Sequence, residues 1–279
     1  MIPRLIQKQL LRLWASYPVV TITGPRQSGK TTLARATFPD LPYVNLESPD
    51  LRALADNDAR AFLQAYPAPV IFDEIQRVPQ LLSYIQTIVD ESGKNGQYLL
   101  TGSHQPQLNA GISQSLAGRT GLLRLLPLSI QELHMAGITL DRDEYLFKGF
   151  MPRAYSTALE PHTLYSDYFA TYVDKDVRQI ANLNNLSAFE TFMKLLAGRC
   201  GQLLNLNSLA NDVGVSSPTI AAWLSVLEAS FIIFRLPCYY ENFGKRLLKS
   251  QNLYFTEIGL VAWLLGIREP AQVARDPLF

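Results

Sequence analysis

Cysteine is scarce in this chain of 279 residues: there are two, Cys200 and Cys238. Their spacing fits no metal site or disulfide framework, so core thiols in a cytoplasmic setting are expected. Histidine is as thin, and His104, His134 and His162 are too scattered to form a ligand cluster. No apolar run approaches the ~18 residues of a membrane-crossing helix, and no membrane partner is expected. Neither sign of charge is in excess. A formal net charge of +1 neither supports nor excludes nucleic acid, because only a local patch decides that. The stretch Met1–Lys8 reads as a basic amphipathic helix rather than a charged cap ahead of an apolar block, so no secretory signal is expected.

What is present is apolar substance. Hydrophobic residues make up 48% and charged residues 18%, enough to build cores and too apolar for a disordered chain. The length exceeds the usual single domain, and two or three domains are expected.

The most informative stretch is Gly24-Pro25-Arg26-Gln27-Ser28-Gly29-Lys30-Thr31, directly after the apolar run Val19-Val20-Thr21-Ile22-Thr23. It reads as strand, glycine-containing loop and helix, and it fits G-x-x-x-x-G-K-[ST] at every fixed position. Such a loop turns successive backbone N–H groups toward the phosphates of a nucleotide, and the following helix adds its positive end. Lys30 supplies a mobile charge for the terminal phosphates, and the Thr31 hydroxyl suits magnesium.

Pro69-Val70-Ile71-Phe72-Asp73-Glu74 is the second signal, an apolar strand ending in two acids. Asp73 would hold magnesium through its water shell, and Glu74 would polarise an attacking water. A third strand, Tyr98-Leu99-Leu100-Thr101-Gly102-Ser103, ends in small polar residues. If it inserts between the other two, Ser103, and after it Thr101, is placed to sense a γ-phosphate. A polar strand end in a turn is the plainer alternative. Arg119, before the last strand, is a candidate contact to a nucleotide in its own subunit or, as a finger, in a neighbour. A surface arginine after a glycine is equally ordinary. Arg153 is a weaker candidate for a lid contact.

Strands are expected at Val19–Thr23, Tyr43–Leu46, Val70–Phe72, Tyr98–Thr101 and Leu122–Leu126. Between them lie helical stretches at Thr31–Thr37, Leu51–Ala65, Leu81–Glu91 and Gln107–Ala117. Nearly all-apolar strands alternating with helices predict an α/β fold, a parallel sheet covered on both faces. Residues 1–135 would form this core and 136–185 a helical lid or linker. Residues 186–279 carry helices at Ala188–Arg199, Asn207–Val213 and Pro218–Glu228, then strand-like runs at Phe231–Phe234, Arg235–Tyr240 and Gln251–Phe255. Three helices followed by strands is the layout of a winged helix-turn-helix.

Together these residues resemble an AAA-type P-loop ATPase of the additional-strand, catalytic-glutamate class. The resemblance is closer still to a bacterial and archaeal AAA family that carries a C-terminal region of unknown function. The resemblance rests on Gly24–Thr32 with Leu33, Ile71–Gln76, Leu99–Ser103 and Gly118-Arg119, followed by Leu126–Leu133. Further on it rests on Gly149-Phe150-Met151-Pro152-Arg153, Tyr172–Val177 and Leu253–Leu260. It implies ATP and magnesium at the loop, with Thr32 among the nucleotide contacts, hydrolysis through Glu74, and a winged helix behind the lid. Members of that family continue into a module resembling restriction-endonuclease folds. This sequence stops at Asp276-Pro277-Leu278-Phe279, where that module would begin.

Whether the winged helix meets DNA turns on charge. Pro218–Glu228 contains no Lys or Arg, whereas groove and phosphate contacts need them. Lys245, Arg246 and Lys249 lie later, in the wing region. The favoured expectation is an ATP-hydrolysing switch in which the winged helix packs as a lever or protein-contact module. A homo-oligomer or a protein partner fits that reading. The alternative is a DNA-binding regulator that nucleotide merely sets. A small-molecule kinase is disfavoured, since Glu74 suits water activation and no second substrate pocket is visible.

Overall fold

In the computed structural model the structure describes residues 2–103, 112, 114–172, 185–237 and 251–279. His104, Cys238, Lys245, Arg246, Lys249 and most of the expected Gln107–Ala117 and Tyr172–Val177 helices lie outside the described residues. The chain divides into two compact units, Ile2–Ala136 and Gly137–Phe279.

The first unit runs α1 (Gln7–Ser16), β1 (Val19–Gly24), α2 (Lys30–Thr37), β2 (Tyr43–Asn45), α3 (Pro49–Asn57), α4 (Ala59–Ala65), β3 (Val70–Asp73), a 3₁₀ turn (Ile75–Arg77), α5 (Leu81–Ser92), β4 (Tyr98–Ser103), β5 (Thr120–Arg124) and α6 (Ile130–Met135). Its five strands are parallel in the order β2-β3-β4-β1-β5. Alternate residues feed two cores. Val19, Val70, Phe72, Tyr98 and Leu100 pack on one face with Leu82 and Ile85 of α5. Val20, Ile22, Ile71 and Leu99 pack on the other with Leu10 of α1 and Leu33 of α2. That is why the strands read as continuous apolar runs: helices cover both faces.

One expected helix, Leu51–Ala65, is two. Asp58 leaves helical geometry (φ −144°, ψ 85°), and its carboxylate accepts the Ala61 N–H at 2.9 Å. An aspartate in that conformation caps a new helix start, a local code that apolar periodicity alone does not register.

The second unit runs α7 (Arg142–Lys148), α8 (Arg153–Ser156), α9 (Pro161–Tyr172), α10 (Leu186–Ala197), α11 (Leu206–Val213), α12 (Ser217–Ala229), β6 (Ile233–Leu236), β7 (Asn252–Phe255), α13 (Ile258–Leu264) and α14 (Pro270–Val273). β6 and β7 pair antiparallel, and Leu203 bridges Asn252. The expected runs Phe231–Phe234 and Arg235–Tyr240 give one described strand, Ile233–Leu236. The expected division at residue 185 is not a structural boundary. Leu164, Tyr165 and Phe169 share one core with Phe189, Phe192, Trp223, Leu227 and Leu260. Aromatic side chains from both sides of residue 185 need the same apolar interior, and so they fold as a single unit.

Gly149 turns the chain after α7 with φ +68°, and a Cβ there would collide with Glu257 Oε1 and the Tyr165 hydroxyl. Glu257 is buried, and its Oε1 accepts from Phe150 N at 2.8 Å, Gly259 N at 3.0 Å and the Tyr165 hydroxyl at 2.9 Å. Burial pushes its carboxyl up to about 7, against the pull of those donors. This carboxyl joins two of the sequence signatures, Gly149–Arg153 and Leu253–Leu260. Among the described residues, no helix is long and apolar enough to cross a membrane, and no group of His, Cys, Asp and Glu forms a metal cluster.

Candidate functional site

The site lies at the carboxyl edge of the five-stranded sheet. β4 inserts between β3 and β1, as the sequence required for Ser103 to meet the phosphate loop, and Ser103 pairs in register with Gly24. Gly24 opens the loop at φ +152°, where a Cβ would collide with the Leu125 carbonyl. Only glycine serves there. Gln27 (φ 61°) and Glu74 (φ 59°) both sit in the left-handed region that side chains rarely adopt. Two such residues on one sheet edge mark a place whose backbone is held by its surroundings.

Lys30 is the first residue of α2 and is 6% exposed. Its ammonium donates to the Gly24 carbonyl at 3.1 Å and the Pro25 carbonyl at 2.8 Å, closing the loop around itself. Burial lowers its pKa to about 8, although Glu74 and Asp73 nearby oppose the shift.

Asp73 is buried and surrounded by donors. Its Oδ2 accepts from Thr31 at 2.8 Å and from the Tyr43 hydroxyl at 2.6 Å, while Thr101 donates to Oδ1. Burial first, and then the hydrogen bond to Asp73, push the Tyr43 phenol up. The Arg35 guanidinium lies 4.9 Å over the Tyr43 ring. Glu74 follows at the strand's end, half-buried, and burial raises its pKa while the Gln76 hydrogen bond and Lys30 pull it back. Gln76 Nε2 donates to the Glu74 carboxylate and also to Ser103 Oγ at 3.0 Å. One amide therefore ties the second acid to the tip of β4.

The residues present fit a magnesium–triphosphate. Thr31 and Asp73 put a hydroxyl and a carboxylate oxygen side by side, the hard donors that magnesium takes. The Ser28 hydroxyl, 1% exposed, finds no partner among the described residues and leaves a donor within the loop.

The structure brings Gly24, Pro25, Ser28, Gly29, Lys30, Thr31, Asp73, Glu74 and Ser103 to one edge. Arg26 is partly buried and Gln27 exposed in the loop, and Thr32 is exposed as the third residue of α2. Thr101 takes a different part from the sensing one considered for it: it holds Asp73. Arg119 departs from its expected place. Its carbonyl accepts from Val19 N at 3.2 Å, so it sits beside the start of β1, at the sheet's amino edge. Arg124, at the other end of β5, is five positions further on, roughly 17 Å at ~3.3 Å per residue. There it holds Asp90 through Nε at 2.5 Å and Nη2 at 2.8 Å. A contact with the nucleotide of its own subunit is excluded by that placement. A contact with a neighbour's nucleotide would have to break the Asp90 pair. Arg153 begins α8 in the second unit.

Sequence reasoning missed Tyr43 and did not assign a role to Gln76. A tyrosine at the start of a short strand looks like any core aromatic. Gln76 stands two residues after Glu74, and that proximity was the one available signal.

Two family models match this chain. Residues 16–134 match the AAA domain. Residues 139–271 match a domain of unknown function (DUF8612). Uncharacterized proteins of Mycobacterium bovis and Mycobacterium tuberculosis are each 30% identical over 265 residues, covering 93% of this chain and 59% of their own length. The chain thus spans about 59% of the length of the curated relatives it matches. A Walker-type ATPase of Pyrococcus abyssi superposes with a TM-score of 0.61 at 14% identity, covering 95% of this chain and 96% of that one, a likeness of fold. With its parallel sheet and the phosphate loop at the sheet's edge, the first unit is thus similar to AAA domains, and the segment that follows it is similar to a domain of unknown function.

Proposed function

We propose that this chain binds ATP with magnesium at Gly24–Thr32 and hydrolyses it, and that its nucleotide state acts on the second unit. The observation that supports this most is the convergence of Lys30 and Thr31 at the start of α2, Asp73 and Glu74 at the end of β3, and Ser103 at the end of β4 on one sheet edge. In this reading Lys30 leaves the Gly24 and Pro25 carbonyls and takes up the terminal phosphates. Thr31 and Asp73 hold the metal, which neutralises charge on the β- and γ-phosphates when bound. Glu74 accepts a proton from the attacking water, and its raised pKa makes it a better base than an exposed glutamate. Ser103 meets the γ-phosphate, and Gln76 carries its position to Glu74. A cytoplasmic setting belongs to the same reading.

The three helices α10–α12, the β6–β7 pair and the Leu203 bridge support a winged-helix reading. The positions of α12 that are exposed are Pro218, Ala222 and Ser225, and Glu228 is paired with Arg235. A helix face with no cation is a poor groove reader. This favours a lever or protein-contact role over the DNA-binding regulator.

The test is phosphate release from ATP and magnesium by the parent and by Glu74→Gln, each with and without duplex DNA. Turnover by the parent alone, lost in the variant and indifferent to DNA, is expected. Equal turnover by both proteins overturns the assignment of the base.

A further inference from the structure

Each backbone carbonyl of a buried loop needs a donor, whichever way it faces. Gly24 and Pro25 find theirs in Lys30. Ser28, immediately before Gly29-Lys30, finds its donor far off in the sequence: the Arg4 guanidinium, whose Nη1 donates to the Ser28 carbonyl at 2.8 Å.

Arg4 lies in the segment ahead of α1, and its side chain is only 9% exposed. Its other nitrogens are also committed. Nη2 donates to the Leu126 carbonyl at 2.6 Å and the Pro127 carbonyl at 3.3 Å, and Nε donates to Glu132 Oε1 at 3.1 Å. Glu132, 6% exposed at the side chain, is itself fixed. Its Oε1 also accepts Leu5 N at 2.8 Å, and its Oε2 accepts Ser129 N at 2.9 Å in the capping box that starts α6. A planar fork that meets a carboxylate and three carbonyls at once is a task for arginine that lysine cannot copy. With four of its five N–H donors engaged and its charge matched by Glu132, Arg4 is placed as a brace and not as a phosphate ligand. It stands behind the loop.

We propose that Arg4, anchored by Glu132, is a positioning residue for the phosphate loop. It fixes the Ser28 carbonyl outward and so holds the neighbouring N–H groups in the anion-binding arrangement before nucleotide arrives. The proposal rests on the nucleotide-binding reading above. A loop ordered in advance binds more tightly than one the ligand must order, because the ordering cost is subtracted from affinity.

The test uses the full chain with four sequences: parent, Arg4→Ala, Arg4→Ala combined with Glu132→Gln, and Arg4→Lys. The double variant removes the buried carboxylate that Arg4→Ala alone would leave unpaired. Amide hydrogen exchange is measured without nucleotide, and a fluorescent ATP analogue with magnesium is then titrated. In the alanine variants the amides of 24–31 are expected to exchange about tenfold faster or more, with those of Tyr98–Leu100 unchanged. The Kd should rise about tenfold, and turnover at saturating ATP should stay within about twofold, since Arg4 shapes binding and not chemistry. Arg4→Lys should restore only part of the affinity. Unchanged loop exchange, or faster exchange spread evenly over the sheet, overturns the proposal. Should the parent take up no nucleotide, the ATP reading falls, while the exchange result still decides whether Arg4 holds the loop.

Discussion

The Thr31 hydroxyl donates to Asp73 Oδ2 at 2.8 Å, joining residues 42 positions apart in the chain. That bond fastens the first turn of α2 to the end of β3. Tyr43 and Thr101 complete a ring of three hydroxyl donors around one carboxylate. Buried acceptors need donors, and this carboxylate finds three of them on three separate elements.

Removing one hydroxyl from this ring tests its strength. Tyr43→Phe keeps the ring that packs under Arg35 and deletes the donor to Asp73. A loss of about 1–2 kcal/mol of stability in urea unfolding is expected for a bond to a charged acceptor. No loss would mean that the bond contributes nothing in solution.

Glu74→Gln should leave nucleotide affinity within about threefold and lower turnover by about 10²–10⁴, the usual share of a general base. In the parent, turnover should rise with pH along a limb displaced above the ordinary 4.5 of glutamate, because burial raises the Glu74 pKa. A steady-state pH profile measures both. An acid limb at or below the ordinary value counts against Glu74 as the base.

Lys30→Ala should abolish binding. In the parent the Lys30 pKa stands at about 8, and only the ammonium attracts phosphate. Bound phosphate favours the charged form, so binding draws in a proton once the pH exceeds that value. Affinity should therefore hold steady below about pH 8 and weaken above it, by up to about tenfold per pH unit. Titrations of a fluorescent nucleotide between pH 7 and 9.5 read this directly. A flat profile would separate Lys30 from phosphate binding.

Glu257 predicts a stability that falls as pH rises. Its folded pKa is raised from 4.5 to about 7 by burial, so the native state favours the protonated form. That contribution is fully present below 4.5 and is lost as pH rises through about 7, a change of about 3 kcal/mol by linkage. The difference in unfolding free energy between the parent and Glu257→Gln should shift by this amount between pH 4.5 and 8. Parallel profiles would show that the carboxyl ionises freely in the folded chain.

How much of this was readable in the chain varies element by element. The strand Val19–Gly24, its loop and the acids after Val70–Phe72 were legible because their code is local: a few consecutive residues specify both the turn and its chemistry. The break at Asp58 was equally local, but a search for apolar periodicity passes over a polar cap. The shared core of the second unit escaped, because Leu164 and Phe192 show their common interior only after the chain has folded back.

Phosphate loop, acid pair and parallel α/β layer were thus determined by neighbours in the chain, whose backbone preferences and apolar runs act over a few residues. Tertiary structure alone decided which hydroxyls surround Asp73, which amide joins Glu74 to Ser103, and that Arg4 with Glu132 supports Ser28 from 24 residues away. It also sent Arg119 to the far edge of the sheet and gave it Asp90. The physical reason is register. Which donor reaches which acceptor depends on strand order and alignment, and these arise when separate segments bury their apolar faces against each other.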